Sequence, residues 1–203
     1  DGQTFTLDFD FNEEGLEFGD NTVFCEGEEI GAGAEFKGAV QLGGATTFNG
    51  EAGKPIKFAA GQDFDDHIHD FMGEVEFAGA MDFRAGQDFE GDVEFKGLFD
   101  YDDMHGKALV FKGDVDFYMP PPVLIGDEYY TPPLAIPPGT TFGDDFDYDD
   151  MFSDENGDGV NDEYYLFEPG VEFHADTRFP PMVEFADGFS KTDMLGKTFT
   201  FDE

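Results

Sequence analysis

The 203-residue sequence has one cysteine, two serines, ten basic residues and no tryptophan, and each shortage removes a class of explanation. Cys25 has no partner for a disulfide within the chain, and as a small, weakly polar side chain it is expected in the core. Neither Ser153 nor Ser190 stands in a G-x-S-x-G setting, and no glycine-rich loop is built to cradle phosphate. The expectation is therefore a protein that is not an enzyme. Ten Lys and Arg against 48 Asp and Glu leave a formal charge of −38. Phosphate backbones are bound by clustered cations, so nucleic acid is excluded as a partner. An anionic membrane surface is disfavoured for the same reason. No run of 18 apolar residues exists, so no helical membrane insertion is expected. The chain begins at Asp1 without Met, which fits a mature secreted product.

What the chain does have is phenylalanine: 27 Phe with 7 Tyr. Disordered acidic chains lack such apolar area, so this one is expected to fold, its charge screened by salt or bound cations. Apolar residues alternate with polar ones almost throughout. In QDFEGDVEFKGLFDY (87–101), Phe89, Val93, Phe95, Phe99 and Tyr101 face one way, and Glu90, Asp92, Glu94, Lys96 and Asp100 the other. Period two with acids on one side is the pattern of a half-buried strand. VEFAGAMDF (75–83), ALVFKGDVDF (108–117) and TFTLDFDF (4–11) repeat it. The class is all-β.

Two strand connections compete. EAGK (51–54), AAGQ (59–62), RAGQ (84–87), MHGK (104–107) and MLGK (194–197) each place Gly where a short hairpin loop needs a left-handed residue. Registers drawn from these turns put Phe99 opposite Phe111 and Phe95 opposite Val115, with Met81 opposite Phe89 and Gly79 opposite Gly91. They predict an antiparallel β-sandwich or jelly roll built from hairpins. The alternative counts sixes: Phe18, Phe24, Ile30, Phe36, Leu42 and Phe48, then Phe71, Phe77, Phe83, Phe89, Phe95 and Tyr101. Hexads are the signature of a hexapeptide-type β-solenoid, and the recurring F-x-G-x-V-[DE] resembles the polymerising bacterial β-helices of the bactofilin kind. The sixes break at 48→58, 64→71 and 101→111, and the sandwich is the favoured expectation.

Internal copies run through both readings. FDYDDM occurs at 99–104 and again at 146–151, and TFTLD at 4–8 matches TFTFD at 198–202. Matching ends suggest terminal strands that pair between subunits. Seven prolines in 118–139 mark an edge, a long connection or a sub-boundary within one all-β domain spanning 1–203.

The second FDYDDM opens into DENGDGVND. Asp154, Asn156 and Asp158 fall at positions 1, 3 and 5 of an oxygen-donor loop, with Gly159 at the sharp turn, the Val160 carbonyl at 7 and Asp162 at 9. Six to eight oxygens from a tight loop suit Ca²⁺. These nine residues resemble the D-x-N-x-D-G-x-x-D loops of thrombospondin type-3 repeats and FG-GAP repeats. Tyr165 occupies the position where an EF-hand carries its bidentate Glu, so a strand-to-strand calcium loop is expected instead. Weaker candidates are the acidic clusters at 63–70, 100–103 and 143–150, and His67 with His69 beside Asp65 as a transition-metal pair. The function expected is a calcium-stabilised extracellular or cell-surface structural protein, a subunit self-assembling into filament, sheath or matrix. The alternative is a Ca²⁺-dependent carbohydrate-binding or adhesion module, with a polysaccharide stacked on Tyr129, Tyr130 and Tyr164.

Overall fold

The computed structural model describes residues 15–20, 22–64, 66–79, 81–97, 104, 106–118, 123–125, 128–130, 132–143, 164–179 and 182–201. Strands are two or three residues long, and every ladder between them but one is parallel. The chain is a β-solenoid. One six-stranded sheet stacks β1 (Glu17–Phe18), β4 (Glu35–Phe36), β7 (Ile56–Phe58), β10 (Val75–Phe77), β13 (Val93–Phe95) and β15 (Val115–Phe117). A seven-stranded sheet stacks β3 (Glu29–Ile30), β6 (Thr47–Phe48), β9 (Asp70–Phe71), β12 (Gln87–Phe89), β14 (Leu109–Phe111), β19 (Thr140–Phe142) and β21 (Glu172–Phe173). The third side is shared among β2 (Val23–Phe24) with β5 (Gln41–Leu42), β8 (Asp63–Phe64) with β11 (Asp82–Phe83), and β18 (Leu134–Ile136) with β20 (Tyr165–Phe167) and β23 (Val183–Phe185). Near the C-terminus, β22 (Thr177–Phe179) pairs with β24 (Phe199–Phe201).

This arrangement overturns the expected sandwich. Phe95 does not meet Val115 across a hairpin; it lies beside Phe77 and Phe117, while Val115 lies beside Val93. Phe111 pairs with Phe89. The registers Glu17↔Glu35, Val23↔Gln41 and Glu29↔Thr47 each join residues 18 apart, three hexads to a coil. The antiparallel register would place Phe95 opposite Val115 and Phe89 opposite Met81. Parallel stacking in this register places Phe on Phe, and ring pairs add to burial. Phe36, Phe58, Phe77, Phe95 and Phe117 form one column, with successive ring centroids 4.6, 5.4, 5.2 and 5.4 Å apart. Phe48, Phe71, Phe89 and Phe111 form another, at 5.1, 4.7 and 5.0 Å. These spacings sit close to the distance of about 4.8 Å between paired strands, so each ring rides on its own backbone ladder. Where two sides meet, the columns contact edge to face, as Phe77 does with Phe83 at 88°.

The glycines read as hairpin markers serve two purposes. Gly53, Gly61, Gly106 and Gly196 are left-handed as expected. EAGK, MHGK and MLGK each close as a turn, with Lys54 N, Lys107 N and Lys197 N donating to Glu51 O, Met104 O and Met194 O, but among the described residues no antiparallel strand pair grows from these turns. Gly86 of RAGQ is not left-handed. Gly50, Gly73, Gly91 and Gly113 instead stack at one corner, two residues after a buried Phe each time. A Cβ on Gly91 would overlap Gly73 Cα at 2.5 Å, and one on Gly113 would overlap Gly91 C at 2.5 Å. The break at 64→71 is a lengthened corner closed by a side chain, and a side chain likewise closes the regular corner between Phe36 and Leu42. In both copies of AGQDF the Gln is buried. Gln62 Nε2 donates to Gly38 O at 2.6 Å, and its Oε1 accepts from Val40 N at 3.2 Å. Gln87 Nε2 donates to His67 O at 3.0 Å, and its Oε1 accepts from His69 N at 2.8 Å. Each amide thus replaces a missing rung of backbone ladder.

The Pro-rich stretch carries an antiparallel hairpin, β16 (Val123–Ile125) with β17 (Glu128–Tyr130), then returns to the stack through β18. The seven-stranded sheet runs across it, Leu109 opposite Thr140.

Two substitutions test this packing. Gly91→Ala forces backbone apart between coils and is expected to destabilise by about 1–3 kcal/mol, read as a lowered denaturant midpoint. Gln87→Leu strips partners from His67 O and His69 N and is expected to cost about 1–3 kcal/mol per group left unsatisfied. An unchanged midpoint in either variant contradicts the stacked-corner geometry.

Candidate functional site

The residues that alternate with the Phe columns point outward, and parallel registry stacks them too. Down the six-stranded sheet the outer positions read Glu17, Glu35, Lys57, Glu76, Glu94 and Asp116. Like charges on neighbouring strands repel, and the few cations sit where they relieve this. Lys37 bridges Glu17 at 2.7 Å and Glu35 at 3.5 Å. Lys96 bridges Glu76 at 2.9 Å and Glu94 at 3.4 Å, and Lys57 reaches Glu76 at 3.9 Å. Arg84 pairs with Asp63 at 2.8 Å on the third side, and Lys112 lies between Glu90 and Asp88. Hydrogen bonds donated to Glu17, Glu76 and Glu90 hold Lys37, Lys96 and Lys112 respectively above the usual lysine pKa.

Beside this ladder lies a groove of about 250 Å³ lined by the acidic residues Glu74, Glu76, Asp92, Glu94, Asp114 and Asp116 together with Val75, Val93 and Val115. Crowding against the strands pushes Asp116 above the usual carboxylate pKa, partly offset by Lys96. Asp193 is the opposite case. Burial pushes its pKa up, but hydrogen bonds from the Ser190 hydroxyl and amide, from Gly170 N and from its own amide bring the net value below the usual range. Its contribution to stability is present above the ordinary carboxylate pKa and is lost as pH falls through the depressed one.

The candidate residues read from sequence are placed unevenly. Asp154, Asn156, Asp158, Val160 and Asp162 lie outside the described residues, as do Asp65 and His105. His67 and His69 do not form a pair. His67 is exposed at a corner, whereas His69 is buried with its ring 5.8 Å from Phe64 and 6.0 Å from Phe48. Its Nδ1 accepts from Thr46 N at 3.3 Å, so it acts as a corner fastener. His174 lies 3.7 Å from Glu172 on β21. Cys25, expected in the core, is exposed, because it follows Phe24 and alternation turns it outward. Among the described residues no group of three or more His, Cys, Asp or Glu side chains is arranged to hold a metal, and no helix is long and apolar enough to cross a membrane. The like-charge columns escaped sequence reasoning, since they exist only once coils stack; the repeated E/D between buried V and F was their visible trace.

Comparison with known proteins adds no assignment: no protein family, no curated protein and no solved structure matches the chain.

The raised pKa of Asp116 gives a signed expectation. Folding favours its protonated form, so its charge lowers stability progressively as pH rises from the ordinary carboxylate pKa through the raised one. Asp116→Asn is expected to raise Tm at pH 7 and to leave it unchanged well below the ordinary carboxylate pKa. A lower Tm at pH 7 contradicts this reading.

Proposed function

We propose that this chain is a calcium-stabilised structural protein of the cell surface or extracellular space, a subunit that self-assembles into a filament, sheath or matrix. The observation that carries the reading is the stack of parallel coils with Phe lying on Phe from coil to coil, which gives the molecule a direction. Solenoids of this kind grow by adding one more coil to an end. The outer surface supports it as well. Columns of carboxylates repel one another and other copies at low ionic strength, so dissolved subunits stay apart until cations screen them. The oxygen-donor spacing of Asp154, Asn156, Asp158, Val160 and Asp162 supports calcium as one such cation. Bound to that segment alone, Ca²⁺ would stabilise the folded chain by mass action.

The test is a calcium titration followed by imaging. Millimolar Ca²⁺ is expected to raise Tm and to yield elongated assemblies under the electron microscope, and EGTA to reverse both. Asp158→Ala is expected to abolish the Ca²⁺-dependent part of the Tm shift. Monodisperse single subunits with and without Ca²⁺ would remove the assembly reading, and a Tm indifferent to Ca²⁺ would remove the calcium reading.

A further inference from the structure

Among the described residues β21 is the last strand of the seven-stranded sheet, paired with β19 alone. Yet its Phe173 is 0% exposed, as fully covered as Phe89 and Phe111 in the middle of the same column. Something other than a further strand covers it. Earlier coils run from the third side to the seven-stranded sheet, as β11 to β12 and β20 to β21 do. After β23 on the third side, the place of that next strand is taken by turns over residues 191–196. Here Asp193 N donates to Ser190 O, Leu195 N to Thr192 O and Lys197 N to Met194 O.

Two rings and one carboxylate hold this segment down. Phe189, entering it, lies 4.5 Å from Phe185 and 6.4 Å from Phe173. Phe199, leaving it, meets Phe173 edge to face at 5.1 Å and Phe179 at 5.0 Å, with Phe185 6.0 Å away. The first inward residue of the strand is Val in β10, β13 and β15 and Thr in β22. A ring at that position in β24 reaches across the gap left by the missing strand. Asp193 closes the arrangement. Its Oδ2 accepts from Ser190 N at 2.7 Å and from Ser190 Oγ at 2.9 Å, and its Oδ1 accepts from Gly170 N at 3.1 Å, at the corner before β21. One coil back, Gly139 N donates to a backbone carbonyl, Gly170 O. At the end of the stack the Asp193 carboxylate stands in for the carbonyl of a further coil.

We propose that residues 186–199 are a built-in cap that covers the open edge of the seven-stranded sheet and blocks addition of a further coil there, with the Asp193 carboxylate as its latch. An uncovered strand edge beside an apolar core recruits other strands, and solenoids close their ends with atypical terminal units. The consequence rests on the self-assembly reading above and supplies its control: the edge of β21 becomes available only when the latch releases. Release would join Phe173 to an apolar end that already exists, since Phe201 on β24 is 57% exposed.

Amide hydrogen exchange and sedimentation velocity on the full chain with Ca²⁺ present separate the latch from its consequence. Asp193→Ala removes all three bonds and is expected to speed exchange at Gly170 N and Ser190 N at least about tenfold, while the amides of β10 and β13 keep their protection. Association is expected to strengthen by the same factor, because the competent open form is populated that much more. Asp193→Asn, which keeps the shape and the acceptor for Gly170 N, carries the same test at smaller amplitude should the alanine variant unfold. Unchanged exchange at both amides overturns the latch. Faster exchange with association no stronger than that of an assembling wild type overturns the cap as a block and leaves self-assembly standing. Monomers of wild type and variants at every concentration, with exchange accelerated, overturn the assembly reading and the control built on it.

Discussion

The contact on which the structure depends is one phenylalanine ring lying on another one coil below. Each strand is only two or three residues long, too short to be held by its own ladder hydrogen bonds. Burial of a large ring, with about 0.5–1.5 kcal/mol more for a well-placed aromatic pair, makes each coil specify the register of the next. The ring column in turn constrains the corners. Backbone of the neighbouring coil stands where a Cβ on Gly73 or Gly91 would be, so at this one corner rings at strand spacing are followed by glycine two residues later. At the lengthened corner between Phe64 and Phe71 the buried amide of Gln87 supplies the lost rung, and that of Gln62 does the same between Phe36 and Leu42. Rings, glycines and amides form one device.

The same registry that favours the interior burdens the exterior. Stacking identical residues puts Glu76 beside Glu94 and Asp63 beside Asp82, a repulsion that an antiparallel sheet with varied neighbours would dilute. Lys37, Lys96 and Arg84 are spent on these columns. With so few cations, the remaining relief comes from solution ions, which ties the folded state of this protein to its ionic surroundings. An acidic, aromatic solenoid of this kind is expected to gain stability as salt screens its carboxylate columns.

How much of this was legible in the residues differs by level. The all-β class and the inward and outward faces followed from alternation, and the strand burial patterns agree with it. Topology did not follow. MHGK and RAGQ look like hairpin turns, and alternation alone cannot tell a parallel neighbour 18 residues away from an antiparallel one across a turn. The hexad count held that information, but lengthened corners at His67–Ile68 and Glu51–Lys54 interrupted it, and the role of Gln87 in bridging such a corner is invisible until coils stack. His67 and His69 looked like a pair because they share a strand parity; in the corner between Phe64 and Phe71 His67 is exposed and His69 buried. Cys25 was misplaced because residue type was weighed above its outward position after Phe24.

The central claim is parallel, in-register stacking, and nuclear Overhauser contacts between selectively labelled residues test it most directly. The account predicts ring-to-ring contacts of Phe77 with both Phe58 and Phe95, and of Phe89 with both Phe71 and Phe111. Contacts of Phe77 with Val93 and of Met81 with Phe89, the pattern of a hairpin across Arg84–Gln87, would contradict it.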